Sequence, residues 1–257
     1  NLEQTAGYGE DVYCVRAAAL IRKACGRDDV DVHFLVGGTQ TNATVISSVL
    51  KPWQGVVCPS TGHINVHETG AIEHSGHKVL PVSSDSGKIS AAAFDALMTA
   101  HFTDDGPEHA VQPGMLYISF PTELGTLYSR AELSALKEVC VKWGIPMFID
   151  GARLGYGLAS PACDVTLEDI ARIADVFYIG GTKQGLLFGE AVMICNDSLK
   201  KDFRYMMKQR GAMKTLVARL QSCTHTPNGS RSIAMSKPGL CTTSSAGRLF
   251  KALIGAF

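Results

Sequence analysis

Seven short apolar runs punctuate this chain, at residues 32–36, 56–58, 79–82, 115–119, 146–150, 175–179 and 191–195. Each is too short for a buried helix, and their near-continuous hydrophobicity suits strands covered on both faces. Helical patterns fill the gaps. Val12–Cys25 sets Cys14, Ala17, Ala18, Ile21 and Cys25 on one face, and Arg130–Trp143 does the same with Leu133, Leu136, Val139, Cys140 and Trp143. Strands alternating with helices predict an α/β domain whose central sheet is mostly parallel. At 257 residues there is room for one large domain or two small ones.

Composition removes several function classes. Lys+Arg and Asp+Glu are both 24, so no global charge points to a nucleic acid or a membrane surface. No run approaches the roughly 18 apolar residues of a membrane span. The eight cysteines are scattered without a C-x-x-C pair, which suits free thiols in a reducing compartment. The start, Asn1-Leu2-Glu3-Gln4, has neither an initiator Met nor a signal pattern, so the expected location is cytoplasmic, with the chain beginning inside a longer protein.

The last acidic residue is Asp202, so residues 203–257 carry nine Lys/Arg and no Asp or Glu. From Ser222 to Ser245, 10 of 24 residues are Ser or Thr, broken by Pro227, Gly229, Pro238 and Gly239. No structural period survives there. The expected organisation is therefore a domain over residues 1–216 and an atypical basic tail over 217–257, read as disordered, as frame-shifted sequence, or as a tail for an acidic partner.

Three places carry chemistry. Val36-Gly37-Gly38-Thr39 runs from a strand into a helix, exposing backbone N–H groups that suit a phosphate, although the same residues also make an ordinary capped loop. Its pattern is neither G-x-G-x-x-G nor a P-loop. Asp150 ends an apolar strand, where open α/β sheets place ligands, and Lys183 follows 33 residues later (183 − 150) after Gly180-Gly181-Thr182. An acid that keeps a pyridine nitrogen protonated and an amine that forms a Schiff base are the two needs of pyridoxal phosphate chemistry. The plainer readings are that Asp150 pairs with Arg153 or caps a turn, and that the lysine is solvated. His63 and His67 are spaced to share a helix face and invite zinc, but Ile64 stands where H-E-x-x-H requires Glu. The alternatives for His63 are a flat ring for a planar cofactor and a surface histidine.

In order, Gly38-Thr39-Gln40-Thr41-Asn42, His63, Asp150-Gly151-Ala152-Arg153, Gly181-Thr182-Lys183 and Lys208-Gln209-Arg210-Gly211-Ala212-Met213 resemble the fold-type I pyridoxal phosphate enzymes. Within them the chain is similar to the β-eliminating lyase group that contains the low-specificity threonine aldolases. Gly7-Tyr8-Gly9-Glu10-Asp11 resembles that group's N-terminal loop. The resemblance implies a three-layer, transferase-like large domain, with the family's small C-terminal domain missing from this chain. It implies Lys183 as the Schiff-base lysine, Asp150 on the pyridine nitrogen, His63 stacked on the ring, and Gly38 and Thr39 on the phosphate. Arg153 and Tyr8 would bind the substrate, Arg210 would reach a phosphate across a subunit boundary, and no metal is expected. Glu123 stands where threonine aldolases often carry a histidine, and is the expected base on the substrate hydroxyl.

The implied activity is cleavage of the Cα–Cβ bond of a β-hydroxy amino acid such as L-threonine or allo-threonine, giving glycine and acetaldehyde. The same residues admit β-elimination or transamination, and the unfamiliar tail admits an inactive fragment. A small amino-acid substrate and a homodimer or homotetramer complete the expectation, with neither nucleic acid nor membrane as partner.

Overall fold

The computed structural model describes residues 6–186 and 189–213. The tail expected over 217–257, with Cys223 and Cys241, lies outside the described residues. Each of the seven apolar runs forms a strand: β1 (Asp31–Leu35), β2 (Gln54–Pro59), β3 (Val79–Val82), β4 (Gln112–Ser119), β5 (Met147–Asp150), β6 (Val176–Gly180) and β7 (Glu190–Ile194). They form one sheet in the order β1-β7-β6-β5-β4-β2-β3. β3, β2, β4, β5 and β6 run parallel, while β7 is antiparallel to both β6 and β1.

Nine helices pack around the sheet among the described residues: α1 (Val12–Cys25), α2 (Gly38–Val49), α3 (His63–Val66), α4 (Ala71–His74), α5 (Ala91–Phe102), α6 (Arg130–Trp143), α7 (Leu154–Ala159), α8 (Leu167–Ile173) and α9 (Phe203–Gln209). The two helices expected from the apolar stripe have the expected bounds because both ends are chemically marked. Ser129 and Glu132 form a reciprocal capping box at the start of α6, and Gly144 closes it in the left-handed region. Asp11 caps α1, and Gly26 ends it the same way.

Strand alternation sorts the interior into two cores. Leu116, Ile118, Ile149, Phe177 and Met193 join residues of α1, α5, α6 and α8 on one face. Their neighbours Met115, Tyr117, Phe148, Val176, Tyr178, Val192 and Ile194 join α2, α4 and α9 on the other. The central strands are therefore buried on both sides, each large side chain contributing roughly 2 kcal/mol by leaving water. This explains why they read as unbroken apolar runs. None of the helices among the described residues is long and apolar enough to cross a membrane.

Candidate active site

Asp150 follows Phe148 by two residues, so its side chain points to the α2 side at the carboxyl end of β5. It is buried, and four donors converge on it. Tyr117 OH (2.6 Å) and Asn42 Nδ2 (3.1 Å) donate to Oδ2; Tyr178 OH (2.5 Å) and the Ala152 N–H (2.9 Å) donate to Oδ1. That uses the roughly four acceptor sites of a carboxylate. Burial first, and the Asp150 charge next, push both phenols well above their ordinary value, so both remain donors. Gly151 is required here, because a Cβ would stand 1.8 Å from the Tyr178 carbonyl oxygen. The plainer Asp150–Arg153 pair does not form, for Arg153 is exposed at the start of α7.

The first turn of α2 descends onto this cluster. A Cβ on Gly38 would lie 3.1 Å from Tyr178 OH, so only a glycine lets the helix approach without displacing the phenol. The Thr41 N–H donates to Gly37 O, and no side chain among the described residues caps the helix. The N–H groups of Gly38, Thr39 and Gln40 therefore point out of the helix end, beside exposed Thr39. Four residues on, Asn42 lies on the same face as Gly38 and bridges Asp150 to Glu68 (2.7 Å).

His63 and His67 are joined by a helical hydrogen bond, the His67 N–H donating to the His63 carbonyl at 2.9 Å. α3 is a single turn that His67 terminates, and the two rings sit 5.5 Å apart. His63 Nδ1 meets Glu68 Oε1 at 2.8 Å. That contact raises its pKa most, burial opposes it, and the Glu68 and Asp150 charges add to the rise while Lys183 lowers it. Among the described residues no group of three His, Cys, Asp or Glu is placed to hold a metal ion. Glu123 lies beside His63: its Oε1 accepts the His63 N–H (3.0 Å) and Ser119 Oγ (2.5 Å).

Lys183 is exposed on a one-turn 3-10 segment, Thr182–Gln184, after β6. Tyr156 OH donates to the Lys183 carbonyl (2.9 Å), tying this turn to α7. Buried Glu190 accepts from the Gly181 N–H (3.1 Å) and Thr182 Oγ1 (3.2 Å), and burial pushes its pKa up to about 7. Two further expected residues make contacts of their own. Tyr8 sits against α9, with Lys208 Nζ 4.5 Å from its ring centre. The Arg210 guanidinium donates to Ser47 Oγ (2.7 Å), nine residues along α2 from Gly38, or roughly 13 Å of helix. Sequence reasoning missed Asn42, Glu68, Tyr117, Tyr178 and Glu190.

The donor set fits pyridoxal phosphate: a buried carboxylate served by neutral donors, an open helix end and a lysine on a glycine-flanked turn. Thr41 Oγ1 and Asn42 Oδ1 are also buried without a partner among the described residues. The fold is that of the fold-type I pyridoxal phosphate enzymes. The sequence profile described as beta-eliminating lyase matches residues 2–227, and the chain belongs to that family.

Among its relatives, the low specificity L-threonine aldolase of Pseudomonas sp. (strain NCIMB 10558) is 32% identical over 208 residues, covering 80% of this chain and 59% of that protein. The structure of Leishmania major threonine aldolase superposes with a TM-score of 0.80 at 48% identity, covering 83% of this chain and 61% of that one. Aspartate aminotransferase from Thermus thermophilus shares the fold, with a TM-score of 0.62 at 15% identity over 83% of this chain and 55% of that one. This chain thus spans about three fifths of the length of its threonine aldolase relatives.

Proposed function

We propose that this chain is the large domain, residues 1–216, of a pyridoxal phosphate-dependent lyase that cleaves the Cα–Cβ bond of a β-hydroxy amino acid, threonine or allo-threonine. The observation that carries this reading is Asp150, buried at the sheet's carboxyl end with four neutral donors. Asp150 would hold the ring nitrogen, Lys183 the aldehyde carbon, His63 the ring face, and Gly38 and Thr39 the phosphate. When bound, the cofactor supplies a sink for the electron pair released from the broken carbon–carbon bond. Arg153 and Tyr8 hold the substrate, Arg153 by its carboxylate, a planar fork suited to that group. Glu123 has Oε1 fixed by Ser119 and the His63 N–H, which leaves Oε2 to take the substrate's hydroxyl proton as the aldehyde departs. Glycine is the other product.

Arg210 serves a phosphate site across a subunit boundary, consistent with its distance from Gly38, in a homodimer or homotetramer. The six described cysteines are free, and a cytoplasmic setting in threonine breakdown and glycine supply suits them. Pyridoxal phosphate added to the protein should give a visible absorbance band that Lys183→Ala abolishes; without that band in the wild type the reading fails. Threonine should then release glycine and acetaldehyde. Glu123 in place of the family's frequent histidine supports a second reading, β-elimination or transamination. Release of ammonia or pyruvate instead of acetaldehyde would select it.

A further inference from the structure

Glu68 and Asn42 have no part in the mechanism above, yet both are buried and both touch residues that do. Glu68 is 5% exposed and Asn42 is fully buried. The two Nδ2 hydrogens of Asn42 go one to Glu68 Oε1 and one to Asp150 Oδ2, so a single amide joins two carboxylates. The opposite orientation would place its oxygen against both carboxylates, which rules it out. The same Glu68 oxygen receives His63 Nδ1 at 2.8 Å. His63, Glu68, Asn42 and Asp150 therefore form one unbroken chain of hydrogen bonds.

That chain leaves Asn42 Oδ1 and Glu68 Oε2 buried without partners among the described residues. Unpaired oxygens in an interior are unfavourable, and a contact that served packing alone would be met as well by an apolar pair. Local sequence places both groups deliberately. Asn42 is one helical turn after Gly38 on α2, and Glu68 lies five residues beyond His63, past the end of α3.

We propose that Glu68 and Asn42 are positioning residues for the cofactor: Glu68 orients the His63 ring and holds its Nδ1 proton, and Asn42 locks that pair to Asp150. The proposal rests on the pyridoxal phosphate reading and deepens it. The groups that face His63 are Glu68, Asp150, Lys183, the ring of His67 and, through its backbone N–H, Glu123. Of these, Glu68 alone bonds the ring nitrogen. Its contact is the largest cause of the raised pKa of His63.

The test uses two measurements, of which the first needs no cofactor. The His63 resonance, assigned by its loss in His63→Gln, is followed by NMR against pH in the wild type and in Glu68→Gln. The wild-type midpoint should stand above the ordinary 6.5. In Glu68→Gln it should fall by about one pH unit or more. The dissociation constant for pyridoxal phosphate should rise about tenfold in Glu68→Gln, the scale for losing a hydrogen bond to a charged group. In Asn42→Ser it should rise several-fold while His63 still titrates high. A merely structural Glu68 would lower the melting temperature and leave the His63 midpoint unmoved.

An unmoved midpoint, or cofactor affinity within about twofold of wild type in both variants, overturns the proposal. Should Glu68→Gln fail to fold, a wild-type His63 midpoint at or below 6.5 overturns it equally. A wild type that binds no pyridoxal phosphate overturns it through its premise, and the titration then shows separately whether the Glu68 contact stands.

Discussion

Asp150 and Asp175 are both buried, 25 residues apart (175 − 150), at opposite ends of the parallel strands β5 and β6. Asp175, at the amino end of β6, accepts Lys137 Nζ (2.6 Å), the Met147 N–H (2.7 Å) and Asn196 Nδ2 (2.9 Å). Its charge is answered by a lysine. Asp150, at the carboxyl end of β5, takes as many donors or more, but none is a cation, and no ion pair to it forms among the described residues. Equal burial therefore hides opposite designs. One carboxylate is closed by its own protein, whereas the other is held ready with its charge uncompensated, which is what a protonated ring nitrogen would answer.

This contrast breaks if the two residues respond alike. Asp175→Ala should cost about 3–5 kcal/mol, since it strands Lys137 and the Met147 N–H. Denaturant unfolding reads that loss, and cofactor absorbance per folded molecule should not change. Asp150→Asn should do the reverse. Turnover should fall by about 10²–10³, the scale for removing one electrostatic stabiliser, while unfolding stays close to wild type. If Asp150→Asn lowered stability as much as Asp175→Ala and kept its turnover, Asp150 would be another structural carboxylate.

How much of this was readable beforehand follows from where each signal lies. Gly38-Thr39, Asp150 and Lys183 sit at strand ends beside glycines, so local sequence marks them. The strands themselves were legible because burial on both faces leaves an unbroken apolar run; only their ends moved, as in β4, which begins at Gln112 rather than Met115. Tyr117 and Tyr178 lie inside such runs and read as core aromatics. Their role appears only when β4, β5 and β6 pair side by side in register, Tyr117 opposite Phe148 and Phe148 opposite Val176. The one available hint was period: each tyrosine shares strand parity with the face that Asp150 uses. Asn42 and Glu68 had no comparable signal, because the contact that defines them spans α2 and the turn after α3.

Glu190 sharpens the comparison as an intermediate case, a buried carboxyl with two neutral donors and, among the described residues, no ion pair to a lysine. Burial raises it from 4.5 to about 7. A group raised in the folded state stabilises the fold while protonated, so its contribution is full below about 4.5 and is lost as pH rises through about 7. The loss is on the order of 3 kcal/mol. Unfolding free energies at pH 5 and pH 8 should therefore differ less in Glu190→Gln than in wild type. An equal difference in both would show that the turn bearing Lys183 is not held through this carboxyl.

The smallest effect expected concerns the donors themselves. Tyr178→Phe removes the 2.5 Å contact to Asp150 Oδ1 but leaves the Ala152 N–H on the same oxygen. A hydrogen bond to a charged acceptor contributes about 1.5–3 kcal/mol, so cofactor affinity should fall by roughly 10- to 100-fold. Tyr117→Phe should match it, since Asn42 remains on Oδ2. The double variant should exceed the product of the singles, because each phenol then loses the one that shared its task. Strict additivity in cofactor titrations would mean that the two tyrosines act independently, and that Asp150 is not held by its donors as a set.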